Sequence, residues 1–311
     1  MAPDVVAAGD RLRVPRTATQ FVISADMPPA VEVEPGTALL VETQLNLGDV
    51  LHDEDDVFTE DLIRFPYVNP VTGPIVVRGS EAGIHVLRVA IDHINLLSPG
   101  VSALVPGLGP LVDWICHRDF GFHGRVVPIR DGFIEWRPGL RIASRPMIGT
   151  IGTAPKLGAI PTIDNGPHGG NLDVQEITAG ATLVLPVEQD GAYLFLGDCH
   201  AVQGDGELCS IGATEARTEC HLTVDVAQRP AEMLWPRIET EEWIGCIACA
   251  KPLEDAFRLA VEELVKWLSA DYGLATHDAL LLLGQVAEAR CTQVVNPKYS
   301  YIVKIRRRYL T

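Results

Sequence analysis

No stretch of this 311-residue chain approaches the ~20 consecutive apolar residues that span a bilayer, so a membrane-spanning helix is not expected. Met1-Ala2-Pro3-Asp4 lacks a basic region followed by an apolar run, so no secretory leader is expected. Positive charge is scarce: 25 Lys and Arg stand against 41 Asp and Glu, a formal net charge of −16. Such a surface repels phosphate backbones and anionic lipid surfaces, which argues against nucleic-acid and membrane partners. The one basic run, Lys304-Ile305-Arg306-Arg307-Arg308, includes apolar residues and reads as a terminal strand with a solvated basic face.

Several catalytic signatures are also missing. There is no HExxH, no EF-hand loop and no GxSxG elbow, and Ala143-Ser144-Arg145 has no lysine partner at a recognised spacing, so no serine nucleophile is nominated. The seven cysteines are odd in number and scattered, which fits free thiols in a reducing cytoplasm. Cys246-Ile247-Ala248-Cys249 has redox or metal spacing, but no second CxxC exists to complete a zinc site. Two buried thiols are the expectation there, and a redox or metal pair the alternative. No internal repeat or low-complexity tract occurs; the nearest is the acidic run at 53–61.

Apolar residues make up 47% of the chain, enough to build a core despite the charge. The length suggests about two domains, or one elaborated β-rich unit, with no need of disulfide or metal staples. Glycine (28) and proline (22) are frequent and fall between short apolar runs, the punctuation of many strands joined by turns. Val31-Glu32-Val33-Glu34 precedes Pro35-Gly36, and Ala38 to Thr43 reads as a returning strand. His85 to Ile94 alternates, with Leu87, Val89 and Ile91 on one face, and His221 to Val226 puts Leu222, Val224 and Val226 inward. Thr182 to Val187 and Ala192 to Leu196 flank Gln189-Asp190-Gly191, a hairpin signal.

After Pro236 the pattern changes. Phe257, Ala260, Val261, Leu264 and Leu268 stand at helical spacing opposite Arg258, Glu262 and Lys266, and Gly273 is placed to end the helix. Thr276 is a candidate N-cap for a second helix over Ala279 to Ala289, and Tyr299 to Tyr309 reads as a final strand. The expected architecture is mainly β, with sandwich- or barrel-like β structure over 1–235 and a smaller α+β portion, two helices and a terminal strand, over 236–311.

Two glycine-framed segments concentrate groups that bind metals or move protons: Asn165-Gly166-Pro167-His168-Gly169-Gly170-Asn171-Leu172-Asp173 and Gly197-Asp198-Cys199-His200-Ala201-Val202-Gln203-Gly204-Asp205-Gly206-Glu207. Histidine nitrogen with carboxylate oxygen is a donor set that suits Zn²⁺, whereas carboxylates and carbonyls alone suit Ca²⁺. Asp198-x-His200 puts both side chains on one face of an extended segment. Glycines 204 and 206 permit a tightly curved loop carrying Gln203, Asp205 and Glu207, and a carboxylate not spent on a metal could act as general base. Polar turns with no chemistry remain the competing reading of both segments. The predicted 182–196 hairpin would return the second segment to the neighbourhood of the first.

Residues Pro161 to Glu215 resemble the acetamidase/formamidase family, whose core runs as a P-H-G-G-N-(hydrophobic)-D segment, an L-x-L-P-V strand and then G-D-x-H-A-x-x-G-D-G-E. Here these are Pro167 to Asp173, Leu183 to Val187 and Gly197 to Glu207. Asn69 to Pro74 with Gly79 to Gly83, Pro146 to Pro155 and Cys291 to Pro297 also fit, in the family's order. The resemblance implies a mostly β fold, a divalent metal, usually zinc and sometimes with calcium, and hydrolysis of a short linear amide to a carboxylate and ammonia. His168, Asp173, Asp198, His200, Asp205 and Glu207 match the family's polar positions. Among them Asp198 and His200 are expected as metal ligands, completed by His168 or Asp173, and Glu207 as general base helped by Asp205. Asn171 and Gln203 are expected to bind substrate, and a homo-oligomer is expected. The alternatives are the same chemistry on a cyclic or larger amide, or a non-catalytic binding module.

The chain departs from the family where a D-C-F-x-x-Q type stretch is common: it reads Leu45-Asn46-Leu47-Gly48-Asp49-Val50, with leucine at an aspartate-like position and valine at a glutamine-like one. A changed pocket, another substrate or lost activity would follow if those groups serve the site. The acidic run from His52 could substitute, although a solvated loop is the expectation. Ile84, at a position often acidic, reads as structural. Trp114, Phe120, Phe122, Phe133 and Trp136, near His117 and His123, read as core or oligomer contacts, or alternatively as the lining of a substrate entrance.

Overall fold

Two long antiparallel strands, His85–Leu104 and Ile211–Gln228, run side by side from the Gln228–His85 pair to the Ile211–Ala103 pair. Their alternating apolar residues, among them Leu87, Val89, Ile91, Leu222 and Val224, are buried in the main core, as the sequence period requires. The computed structural model describes residues 6–8, 10–111 and 121–310. Among them the protein is mainly β, built on one large curled sheet of eighteen strands with a three-stranded and a two-stranded sheet beside it.

The predicted strands are present, but two expected hairpins are not. Thr182–Pro186 pairs with His85–Leu104 and Arg237–Glu239, whereas Leu194–Val202 pairs with Met147–Gly152, Val71–Val77 and Ile211–Gln228. Gln189-Asp190-Gly191 does make a tight turn, closed by the Ala192 N–H on the Gln189 carbonyl. It is a crossover, because both flanking segments find partners elsewhere in the large sheet and pairing follows burial rather than the turn. Likewise Val31–Val33 pairs in parallel with Ile75 to Val77, while Thr37–Glu42 joins Glu219 to Val224; the Gly36 N–H on the Val224 carbonyl pins the corner.

The helix Leu253–Tyr272 ends at Gly273, whose φ of 67° and N–H on the Leu268 carbonyl make the left-handed cap expected of it. Its buried stripe is Ala256, Ala260, Glu263, Leu264, Trp267 and Leu268, while Phe257 sits at the margin against Tyr301. Glu263 is tolerated in that stripe because the Arg237 guanidinium and the Leu234 N–H both donate to it. The second helix, Thr276–Val286, takes Thr276 as its first residue, with Ala275 before it and no side-chain cap. The first helix packs on Trp243–Ala250 and Tyr299–Arg306, and the second on the first helix and on Tyr299–Arg306, around a cluster that includes Ile244, Cys246, Ala248 and Val303. Cys246 faces that cluster and Cys249 the main core, since an i,i+3 pair on a strand points to opposite faces; both are buried free thiols and share no ligand. The basic run is paired internally: Lys304 with Glu176 and Glu288, Arg306 with Glu242 and Glu288, Arg307 with Glu239.

Trp114, His117 and Phe120 lie outside the described residues. Of the other aromatics in that stretch, Phe122 packs edge-on against Phe58, Trp136 lies under the Arg125 guanidinium and Phe133 under that of Arg141. The 53–61 run is largely exposed; Asp56 accepts the His52 and Asp53 N–H groups, and Glu54 pairs with Arg130.

Candidate active site

The strand Met147–Gly152 unites the two glycine-framed segments. One edge pairs with Gly169–Asn171, the other with Leu194–Val202, so that Thr150 stands opposite both Asn171 and Gly197. Proximity therefore comes through a third strand. Glycine is required at this seam: a Cβ on Gly149 would lie 2.5 Å from Asp173 Oδ1 and 2.9 Å from Asp198 Oδ2. Asp173, Asp198 and Glu207 take φ of 48°, 53° and 47°, a left-handed backbone that non-glycine residues rarely adopt and that concentrates at functional sites.

His200 Nε2 lies 3.5 Å from Asp173 Oδ1 and 3.7 Å from Asp198 Oδ1, and one donor atom from each residue falls within 4.8 Å of the others. All three side chains are buried. Glu207 and Glu215 complete a group of four buried carboxylates, none ion-paired to lysine or arginine among the described residues. Burial, reinforced by the Asp198 charge, pushes the Asp173 pKa up to about 7. Burial and the neighbouring carboxylates push Glu207 and Glu215 well above the usual range. Burial pulls the His200 imidazole down, but Asp198 and Asp173 outweigh it and raise its pKa.

Polar side chains fix the acids. The Asn296 amide donates to Asp173 Oδ2 at 2.6 Å, and that of Asn46 to Glu215 Oε1 at 2.8 Å. The Thr150 hydroxyl lies 2.6 Å from Asn171 Oδ1 and 3.3 Å from Asp198 Oδ2. Asp173 Oδ1, both His200 ring nitrogens, Glu207 Oε2 and Glu215 Oε2 are buried without a hydrogen-bond partner. Orphaned donor atoms converging in a negatively charged pocket are what a divalent cation would satisfy. Asp173, Asp198 and His200 fit that role.

A cavity of about 610 Å³ opens above this centre. Asp198, Glu207, Glu215, Asn46, Asn69 and Asn171 line it, together with apolar residues including Leu47, Ile63, Phe65, Val105 and Leu108. Asn171 thus sits where a substrate group was expected. Gln203 instead supports the site from behind, its amide donating to the Asp173 and Thr292 carbonyls. Two expected residues lie apart. Asp205 is exposed, faces Arg290 at 3.3 Å and borders a separate crevice. His168 is buried near Asp164 and Lys298, its pKa lowered to about 4 by burial, and it is not one of the clustered donors.

Sequence reasoning missed Glu215, Thr150, Asn46 and Asn69. Glu215 lies between buried Thr214 and Ala216 on a strand, a charged residue at an interior position, and that was the available signal. The departure at Leu45 is also resolved: Leu45 packs with Leu51, Phe58 and Val101 beneath the loop, and its neighbour Asn46 reaches the acids.

The large curled sheet thus carries a buried acid–histidine centre beside a cavity. The chain belongs to the acetamidase/formamidase family. The family's sequence model matches residues 156–242. The crystal structure of an acetamidase from Bacillus halodurans superposes with a TM-score of 0.88 at 33% identity, covering 96% of this chain and 98% of that one. A formamidase of Methylophilus methylotrophus is 29% identical over 244 residues, and an acetamidase of Mycolicibacterium smegmatis 26% identical over 266. Those matches take in 61% and 65% of this chain, and the chain spans 59% and 64% of those two relatives.

Proposed function

We propose that this protein is a metal-dependent amidohydrolase that cleaves a linear carboxamide to its carboxylate and ammonia. The observation that carries the reading is the buried Asp173–Asp198–His200 cluster, with its unpartnered donor atoms, which meets the cavity through Asp198. The mixed nitrogen and oxygen donors favour zinc over calcium. A bound divalent cation supplies Lewis-acid polarisation of the carbonyl and lowers the pKa of water.

The chain's own residues do the rest. Glu207, whose Oε2 is unpartnered and which lines the cavity, takes the proton of the attacking water and hands it to the leaving nitrogen, which departs as ammonia. Asn46 Oδ1 and Asn69 Oδ1 are further buried, unpartnered acceptors on the cavity wall, suited to a substrate NH₂ group. Asn296 and Gln203 hold Asp173 in place from its carboxylate and its carbonyl. Asp205 has no part in this scheme. The six described cysteines are free thiols, which supports a reducing compartment.

The test is metal analysis of the native protein together with ammonia release from a panel of linear amides by zinc-replete enzyme. About one ion per chain is expected, with turnover that Glu207→Gln reduces by at least a hundredfold. A metal-replete, folded protein that releases ammonia from no member of the panel would overturn the reading.

A further inference from the structure

The cavity is too large for the simplest amides. A water molecule's share of liquid volume is about 30 Å³, so an amide of three or four heavy atoms fills on the order of 100 Å³. The cavity measures about 610 Å³, within the range of pockets that enclose far larger ligands. Its polarity is also divided. Unpartnered acceptors, Asn46 Oδ1, Asn69 Oδ1, Glu207 Oε2 and Glu215 Oε2, gather at the acid centre, where an unsubstituted NH₂ brings two donors. The remaining wall is largely aliphatic or aromatic, from Leu47, Ile63 and Val105 to Phe65 and Leu108. Phe65 is 55% exposed and Leu108 38% exposed, apolar surface on the cavity wall that an apolar ligand would cover.

We infer that the substrate is a primary carboxamide with an apolar acyl group of about five to eight heavy atoms, its NH₂ at the acid centre and its acyl chain along the Leu47–Ile63–Val105–Leu108 wall. This rests on the amidohydrolase reading and narrows its substrate. Each buried methylene contributes about fourfold in binding at ordinary transfer energies, so four methylenes are worth on the order of a hundredfold.

The experiment measures kcat/KM for formamide, acetamide, butyramide and hexanamide on zinc-replete protein, and binding of acetamide and hexanamide to Glu207→Gln by calorimetry. The expected result is a rise of about fourfold per methylene, at least thirtyfold from acetamide to hexanamide, with tighter binding of hexanamide to the variant. In the double variant Phe65→Asp, Leu108→Asp, both at exposed positions, the hexanamide-to-acetamide ratio of kcat/KM should fall at least tenfold. Turnover that is flat or declines with chain length overturns this inference and leaves the amidohydrolase reading intact. Absence of ammonia from every amide overturns that reading itself.

Discussion

Gly212→Ala is the sharpest probe of the acid–histidine centre. A Cβ built on Gly212 lies 2.0 Å from His200 Cε1, 2.6 Å from Nδ1 and 2.9 Å from Nε2, whereas ordinary contact begins at 3.4 Å. The imidazole must therefore retreat by about 1.4 Å, or the strand carrying residue 212 must bulge. His200 is fully buried, so the ring has no solvent to move into. Overpacking of this kind costs about 1–3 kcal/mol. A misplacement of about 1 Å at a reacting centre costs about a hundredfold in rate. The variant should therefore fold with a lowered Tm, lose about a hundredfold in kcat/KM and bind zinc at least tenfold more weakly. Thermal unfolding, metal analysis and ammonia release check the three. Gly204→Ala is the matched control, since nothing lies within 4 Å of its added Cβ. A Gly212→Ala protein with unaltered zinc affinity and turnover would refute the assignment of His200 to the centre.

Two further outcomes are expected. Burial holds the His168 pKa at about 4, below its usual 6.5, so as pH falls the unfolded chain takes the proton first; this group's contribution to stability is full above pH 6.5 and is lost as pH falls towards 4. At about 1.36 kcal/mol per pH unit, the loss between pH 6.5 and 5 is about 2 kcal/mol. Urea unfolding of the wild type and His168→Gln at pH 7.5 and 5 reads it as a shrinking difference between the two, in which the acids common to both cancel; a difference independent of pH would refute it. Gly284 lies on the exposed side of the helix Thr276–Val286 with open space around it, so Gly284→Ala should raise stability by about 0.5–1 kcal/mol by chemical denaturation.

The strand and helix content was legible because the chain's periods are clean. Leu87, Val89 and Ile91 alternate into the core, and the stripe of Ala260, Leu264 and Leu268 is buried on the helix that Gly273 ends. Pairing was not legible. Asp190-Gly191 announces a turn, but a turn constrains only the residues within it, and Thr182–Pro186 and Leu194–Val202 are each drawn to partners more than forty residues away. Local sequence carries no record of which distant strand offers the better buried edge. The same limit applies to Val31–Val33 and Thr37–Glu42, which a Pro-Gly corner joins without pairing.

At the site, residue type was legible and direction was not. Asp198 and His200 were placed together by their spacing, yet Asp198 departs from extended geometry at φ 53°, and it is the bent backbone that aims its carboxylate at Asp173 and His200. Asp205 and Glu207 are two residues apart on one glycine loop, and the chain turns Glu207 inward to the acids and Asp205 outward to Arg290. Spacing cannot rank them; an ion pair on one and unpartnered burial on the other can. Glu215 makes the converse case, a carboxylate in no motif whose place on an interior strand face commits it to the centre. Four acids sharing one buried space without an arginine or lysine are stable only with protons or a cation among them. The part of the −16 net charge that concerns chemistry is therefore Asp173, Asp198, Glu207 and Glu215, and the run at 53–61 belongs to the solvated surface.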